Sequence, residues 1–218
     1  MYTIQELFDV THTKAKDYLQ TFTYPWEALA GIKELIRELG KTLGEEYTEV
    51  LPEVWVHTTA KIAPTASLTG PCIIGAHTEI RQCAFIRGSA LIGENCVVGN
   101  SVEVKNAILF DNVQVPHFNY VGDSILGFKA HMGAGSVTSN VKSDKTPVVV
   151  KDGDKQMSTG LKKFGAILGD FVEVGCNSVL NPGTVIGKNS TVYPLSCVRG
   201  VVKANSIYKT GGVIVEKR

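Results

Sequence analysis

The sequence predicts an all-β fold, a parallel β-helix of hexapeptide repeats with a small N-terminal α-helical cap. Three observations predict it. Apolar residues recur every sixth position at Val56, Ile62, Leu68, Ile74, Ile80, Ile86, Ile92, Val98, Val104 and Phe110. The frame reappears at Leu126 and Met132, then at Leu168, Val174, Leu180, Ile186, Val192 and Val198. Neither the helical period of 3.6 nor strict alternation produces that spacing, whereas a coiled solenoid does. Second, the slot four residues after each framed residue is mostly small, as at Ala60, Ala66, Cys72, Thr78, Ala84, Ala90, Cys96, Ser178, Thr184, Ser190 and Ser196. A bulky side chain there would collide inside a narrow prism. Third, Gly75, Gly93, Gly99, Gly127, Gly133, Gly169, Gly175 and Gly187 directly follow framed residues, where the expectation is a corner that needs freedom in φ. Three hexads per coil imply about six coils.

Residues 1–51 carry no hexads and form the first expected unit, an N-terminal helical segment. Trp26, Leu29, Ile32, Ile36, Leu39 and Leu43 recur at helical spacing after Pro25, predicting a helix from about Pro25 to Leu43. Shorter helices are expected around Ile4–Phe8 and Thr13–Thr21. Their expected role is to cover the open first coil against edge pairing. Docking of a partner or domain is the alternative.

Residues 52–218 form the second unit, the β-helix. Each framed aliphatic, fully buried, contributes roughly 1.5–3 kcal/mol before chain entropy is set against it. Between Phe110 and Leu126 the frame slips by four residues, which predicts a short loop off the prism at Pro116–Asp123. Residues 141–165 form a polar, lysine-bearing excursion with a hairpin expected across Asp152-Gly153-Asp154. Loops of this length in compact domains usually carry function.

Composition removes several classes. The chain has 218 residues, 22 Lys plus Arg against 21 Asp plus Glu, and a formal net charge of +1. No global field favours nucleic acid or an anionic membrane, so an anionic ligand must be met by local charges. No apolar run approaches the ~20 residues of a spanning helix, and a soluble cytoplasmic protein is expected. The five cysteines form no CxxC pair or metal-type cluster, and an odd count argues against a closed disulfide set. No bound metal is expected.

Several residues could carry chemistry. His117, presented from the slip, can accept a proton from an amine or hydroxyl near neutral pH, and is equally well read as a loop histidine bonded to backbone. Arg87 and Lys105 suit a phosphate, one as a planar fork and the other as a point charge, although isolated edge charges are ordinary. Tyr120 lies six before Leu126 and also fits the core frame.

The motifs Arg87-Gly88, Val102-Glu103-Val104-Lys105, His117-x-x-Tyr120-x-Gly122-Asp123 and Gly133-Ala134-Gly135-x-x-x-x-Asn140 resemble the C-terminal acetyltransferase domain of the bifunctional UDP-N-acetylglucosamine pyrophosphorylase/glucosamine-1-phosphate N-acetyltransferases. The run Thr159–Asp170 looks like archaeal-type relatives, and the resemblance covers roughly Leu68–Val201. Parallel crossovers generally turn right, but the resemblance implies a left-handed coil. It also implies an acetyl-CoA-dependent acetyltransferase acting on an amino-sugar phosphate, for UDP-N-acetylglucosamine-type precursor synthesis. His117 is then the general base, and Arg87 and Lys105 meet the phosphate with Tyr120 beside it. Asn140 lies between sugar and coenzyme, and the Ala134 amide is an oxyanion donor. Cys176 stands on the coenzyme side, where Lys162, Lys163 and Arg199 could meet the coenzyme's phosphates. Two positions depart from the family pattern. His131 replaces a sugar-contacting asparagine, and Lys145 falls one residue short of a second phosphate lysine. The resemblance implies a homotrimer with sites between columns, and with no nucleotidyltransferase domain seen before the column the expectation is either a stand-alone transferase or one that works beside a separate nucleotidyltransferase. Two other readings stay open: a non-catalytic sugar-phosphate or nucleotide-sugar binding protein, and a zinc-dependent hydratase using the histidines His12, His57, His77, His117 and His131.

Overall fold

The computed structural model describes residues 1–217. Strands stack in parallel into a three-faced prism of the left-handed β-helix class that the resemblance implies. On one face, here face A, the segments beginning at Val54, Cys72, Ala90, Ala107, Ser124, Ala166, Thr184 and Val201 pair in register. Those eight rungs exceed the six coils expected, because two coils and the C-terminal end hide their hexads. Face B continues through Lys61–Ile62, Glu79–Ile80, Val97–Asn100, Gln114–His117, His131–Met132, Glu173–Val174, Thr191–Val192 and Ser206–Tyr208. Face C begins at Ser67–Thr69 and Phe85–Arg87 and ends at Val179–Leu180 and Cys197–Val198.

The hexad frame points inward as expected: Ile74, Ile80, Ile86, Ile92, Val98 and Val104 are at most 1% exposed, with Cys72, Thr78, Ala84, Ala90 and Cys96 beside them at 0–1%. The slip between Phe110 and Leu126 has a different cause from the one expected. No loop leaves the prism, since Gln114–His117 and Tyr120–Leu126 are both strands. Instead Leu109 pairs with Ile92, and Leu126 with Leu109, each 17 residues on rather than 18. One residue is lost at each of two successive corners, Asn106 and Asp123, where a single left-handed residue replaces the pair Gly88-Ser89 of the coil above. Phe110 therefore falls out of the core frame onto the outside, where its ring lies 5.0 Å from that of Phe8.

The framed glycines also have a different reason. Their φ values are ordinary, and the left-handed corner positions fall to His77, Asn95, Asn112, Lys129, Phe171 and Asn189, two residues after the glycine slot. What excludes a side chain is the next coil. A Cβ on Gly99 would lie 1.4 Å from the Pro116 carbonyl oxygen, and one on Gly75 2.4 Å from that of Gly93.

The N-terminal helices do not cap the first coil; the strand Tyr47–Leu51 that follows them does. The helical segment runs along face A from the last coils toward the first. Ala204 N–H donates to Tyr2 Oη, Asp170 N–H to the Leu7 carbonyl, Asp111 N–H to that of His12, and Asn106 Nδ2 to that of Leu29. Its helices are α1 (Ile4–Leu7), α2 (Lys16–Leu19) and α3 (Ile32–Gly40). Thr3 and Glu6 close a capping box on α1. The single helix expected from Pro25 is 3₁₀ over Pro25–Gly31 and α only from Ile32. Tyr18 Oη donates to the Ala28 carbonyl at 2.7 Å, occupying an acceptor that a continuous α-helix would use. Antiparallel strands protect the ends instead: Tyr47–Leu51 pairs with Val54–His57, and Ile214–Glu216 with Ser206–Tyr208. No helix among the described residues is long and apolar enough to cross a membrane.

The excursion forms the expected hairpin, Val149–Asp152 against Lys155–Ser158. It folds back on the column rather than into solvent. Val148 and Val150 are fully buried, and the hairpin covers Gly183 and Gly200.

Candidate functional site

Because each coil repeats the last, residues one coil apart stack into columns. The column closing face C runs Thr69, Arg87, Lys105, Gly122. Arg87 and Lys105 are therefore neighbours on one edge. Each already meets a carboxylate. Arg87 Nη1 donates to Glu103 Oε1 at 2.6 Å, a contact that raises the guanidinium pKa further. Lys105 Nζ donates to Asp123 Oδ2 at 3.2 Å.

Tyr120 sits on the outside of the same face, in register with Glu103 and Val137. It is half-buried and does not belong to the core frame, which Val121 occupies. Burial, and then the nearby charges of Asp123 and Glu103, push its phenol pKa up, so the hydroxyl keeps its proton. Asn140 donates through Nδ2 to Tyr120 Oη at 3.1 Å and also to Asp123 Oδ2. Arg87, Lys105, Tyr120 and Asn140 are thus brought together, with Glu103 and Asp123 as acidic partners that the sequence reading did not single out. Asp123 stood in a quoted motif, but its burial depends on a shortened corner that periodicity alone does not show.

His117 ends a face B strand, at the corner where face C begins. Its ring is exposed, its backbone N–H donates to Asn119 Oδ1 at 3.1 Å, and its backbone carbonyl accepts from Gly135 N–H at 3.0 Å. The column through this corner is Asn100, His117, Ala134, Cys176, Pro194, as the flanking registers require. The expected base and two expected coenzyme-side residues therefore line one edge. Cys176 is exposed.

The remaining expected residues lie elsewhere. His131 is on the outside of face B, its Nδ1 2.8 Å from Glu173 Oε2, between a cavity of about 480 Å³ lined by Gln114 and Lys129 and one of about 270 Å³ reaching Cys176 and Pro194. Lys145 and Lys162 are exposed on the excursion. Arg199 closes face C in the Arg87 column but four rungs beyond Lys105, next to the hairpin. The described residues hold no group of three or more His, Cys, Asp or Glu arranged around a common metal position. His12 instead stacks on Phe128 at 3.7 Å, and His57 is bonded to Thr59.

A column of this construction, carrying cations at one edge of a face and a free histidine at the other, defines a hexapeptide-repeat protein with a polar site on its flank. The chain belongs to the GMPPB C-terminal domain family, whose sequence model matches residues 68–203. It is 31% identical over 208 residues to the bifunctional protein GlmU of Methanococcus maripaludis strain S2, covering 93% of this chain and 50% of that one. The bifunctional protein GlmU of Methanocaldococcus jannaschii is 30% identical over 208 residues, covering 94% and 51%. A bifunctional sugar-1-phosphate nucleotidylyltransferase/acetyltransferase of Sulfurisphaera tokodaii is 29% identical over 218 residues, covering 94% and 54%. The chain thus spans about half the length of the curated relatives it matches.

Proposed function

We propose that this chain is an acetyl-CoA-dependent acetyltransferase whose acceptor is an amino-sugar phosphate of the glucosamine-1-phosphate kind. The observation that carries this reading is the layout of face C. Its stretch Tyr120–Gly122 spans about 7 Å from first Cα to last, with the free His117 ring before it and the Lys105–Arg87 edge after it. That span suits a hexose with its phosphate at the cationic edge and its amine at the histidine. Lys105 and Arg87 then bind phosphate oxygens, and Tyr120 donates its retained proton. His117 takes the proton released as the amine attacks the thioester carbonyl, and when the tetrahedral intermediate collapses with cleavage of its C–S bond that proton passes to the departing sulfur, so coenzyme A leaves as the thiol. The Ala134 amide, next along the His117 column, is the donor proposed for the oxyanion. The coenzyme arm follows Cys176 along the same edge, past His131. The acetyltransferase half of the Sulfurisphaera relative's name supports the same reaction.

A homotrimer is proposed with this reading, because Phe85, Phe118, Val179 and Leu195 leave large apolar side chains exposed on face C and the His117 edge, Leu195 being 71% exposed. In that assembly Lys145, Lys162 and Arg199 are placed to act toward a neighbouring copy's ligand, and the product is passed to a nucleotidyltransferase.

The test is release of coenzyme A thiol from acetyl-CoA by the purified chain, across a panel of amino-sugar phosphates. His117→Ala is expected to lower kcat by about 10²–10⁴-fold. If the panel leaves acetyl-CoA intact while the same ligands raise the melting temperature, the protein binds sugar phosphates without turnover.

A further inference from the structure

We propose that Asp123 is a positioning residue of this site, a buried carboxylate that sets the hydrogen-bonding sense of Lys105, Asn140 and Tyr120 toward the acceptor sugar. The proposal rests on the acetyltransfer reading and adds to it a group that no ligand reaches.

Asp123 is 4% exposed and lies in the left-handed region at φ +49°, at the second of the two shortened corners. Each of its oxygens takes two donors. Oδ1 accepts from Asn106 Nδ2 at 2.9 Å and from Lys105 Nζ at 3.4 Å, while Oδ2 accepts from Lys105 Nζ at 3.2 Å and from Asn140 Nδ2. Its carbonyl accepts from Gly165 N–H at 2.8 Å, where the excursion rejoins the column. A buried ionised carboxylate can only accept, so it must be surrounded by donors.

That requirement dictates what the neighbours have left. Asn140 has two N–H groups, and the structure spends them on Asp123 and on Tyr120 Oη. Its carbonyl oxygen is then the atom left for a ligand, as an acceptor. Tyr120, already accepting from Asn140, has its O–H to give. Lys105 keeps N–H capacity beyond its bonds to Asp123. The edge therefore presents two donors suited to phosphate oxygens and one acceptor suited to a sugar hydroxyl or amine, in an order set from below. An asparagine at position 123 would offer one acceptor oxygen and an N–H₂ group, letting the Asn140 amide turn over and reverse that order.

The test is steady-state kinetics of Asp123→Asn in the full chain with glucosamine 1-phosphate and acetyl-CoA. We expect KM for the sugar phosphate to rise about tenfold, with KM for acetyl-CoA within twofold of the wild type. In the Lys105→Met background the same substitution should add less than it does alone, because the two residues act through one contact. A folded Asp123→Asn protein with unchanged sugar-phosphate KM, or with both KM values raised alike, overturns the proposal. If Asp123→Asn does not fold, Asp123→Glu is read by the same split. Failure of both to fold assigns Asp123 to stability alone and also overturns it. Wild-type protein that consumes no acetyl-CoA overturns the transfer reading instead. Calorimetric binding of glucosamine 1-phosphate then decides for Asp123: tenfold weaker binding by Asp123→Asn sustains the positioning role, and no binding by the wild type removes both.

Discussion

The outward slots of faces A and B show how one repeat can build either a packed wall or an open one. On face A the slot reads Trp55, Ile73, Leu91, Ile108, Ile125, Ile167, Val185, Val201, and from Ile73 to Val185 every member is at most 1% exposed. The N-terminal segment lies on this ladder, with Leu7, Phe8, Leu29, Ile32 and Ile36 buried in the same core. On face B the equivalent slot reads Lys61, Glu79, Val97, Gln114, His131, Glu173, Thr191, and none of these is buried. The inward slots of the two faces are alike. What differs is whether the outside is apolar, and hence whether another element has to cover it.

The largest way to break this contrast is a charge placed on each wall. Ile108→Lys puts an ammonium under the N-terminal segment with no partner, and a loss of about 3–5 kcal/mol or outright misfolding is expected. Val97→Lys, on face B between Glu79 and Gln114, should change stability by less than about 0.5 kcal/mol. Urea denaturation of both proteins measures the difference, and equal losses would mean that the segment does not cover face A in solution. Phe8→Ala is the next largest. It removes the ring packed on Phe110 and should cost about 3 kcal/mol, with amide hydrogen exchange rising along residues 1–40 before it rises in the column.

Much of this was legible in the sequence, but unevenly. The inward frame could be read because every hexad repeats the same demand, an aliphatic and then a small residue, and the prism tolerates neither gap nor excess. The face A cover was also written there, as the apolar outward slots of Cys72-Ile73-Ile74, Ala90-Leu91-Ile92 and Ala166-Ile167-Leu168. A frame followed at one residue in six passes over them, so the helices read as an end cap. The loss of one residue at Asn106 and another at Asp123 was harder to see, since two deletions in a six-residue frame look the same as a four-residue insertion. His117, Arg87, Lys105, Tyr120 and Asn140 came from motif resemblance. Asp123 became visible as a hub only once the shortened corner placed its carboxylate among three donors.

A smaller effect tests how tightly the coils approach at the His117 edge. Gly99→Ala sets a Cβ against the Pro116 carbonyl, so Pro116 and the adjoining His117 must shift. A stability loss of about 1–3 kcal/mol is expected, together with a kcat reduction larger than that produced by the same change at Gly187. Gly187 also meets the next coil, though less tightly, a Cβ there lying 2.4 Å from Ala204 N against 1.4 Å from the Pro116 carbonyl oxygen at Gly99, and it stands at a different corner from the histidine.

The smallest effect distinguishes the inside of the prism from its edges by titration. Burial pushes the thiols of Cys72 and Cys96 up to about 12, while Cys83, Cys176 and Cys197 are exposed. At pH 8.5 iodoacetamide should alkylate those three exposed thiols in folded protein and all five in guanidinium. In the unfolded chain each thiol ionises near ~8.5, so the folded state holds more protons above that pH. By linkage the contribution of the two buried thiols is complete below about pH 8.5 and is lost as pH rises toward 12. Between pH 8.5 and 9.5 the loss should be roughly 1 kcal/mol per buried thiol. Replacing Cys96 by alanine should roughly halve that slope, and an unchanged slope would remove the Cys96 thiol from the account; Tyr47, whose phenol burial also pushes up to about 12, adds its own loss mainly above about pH 10.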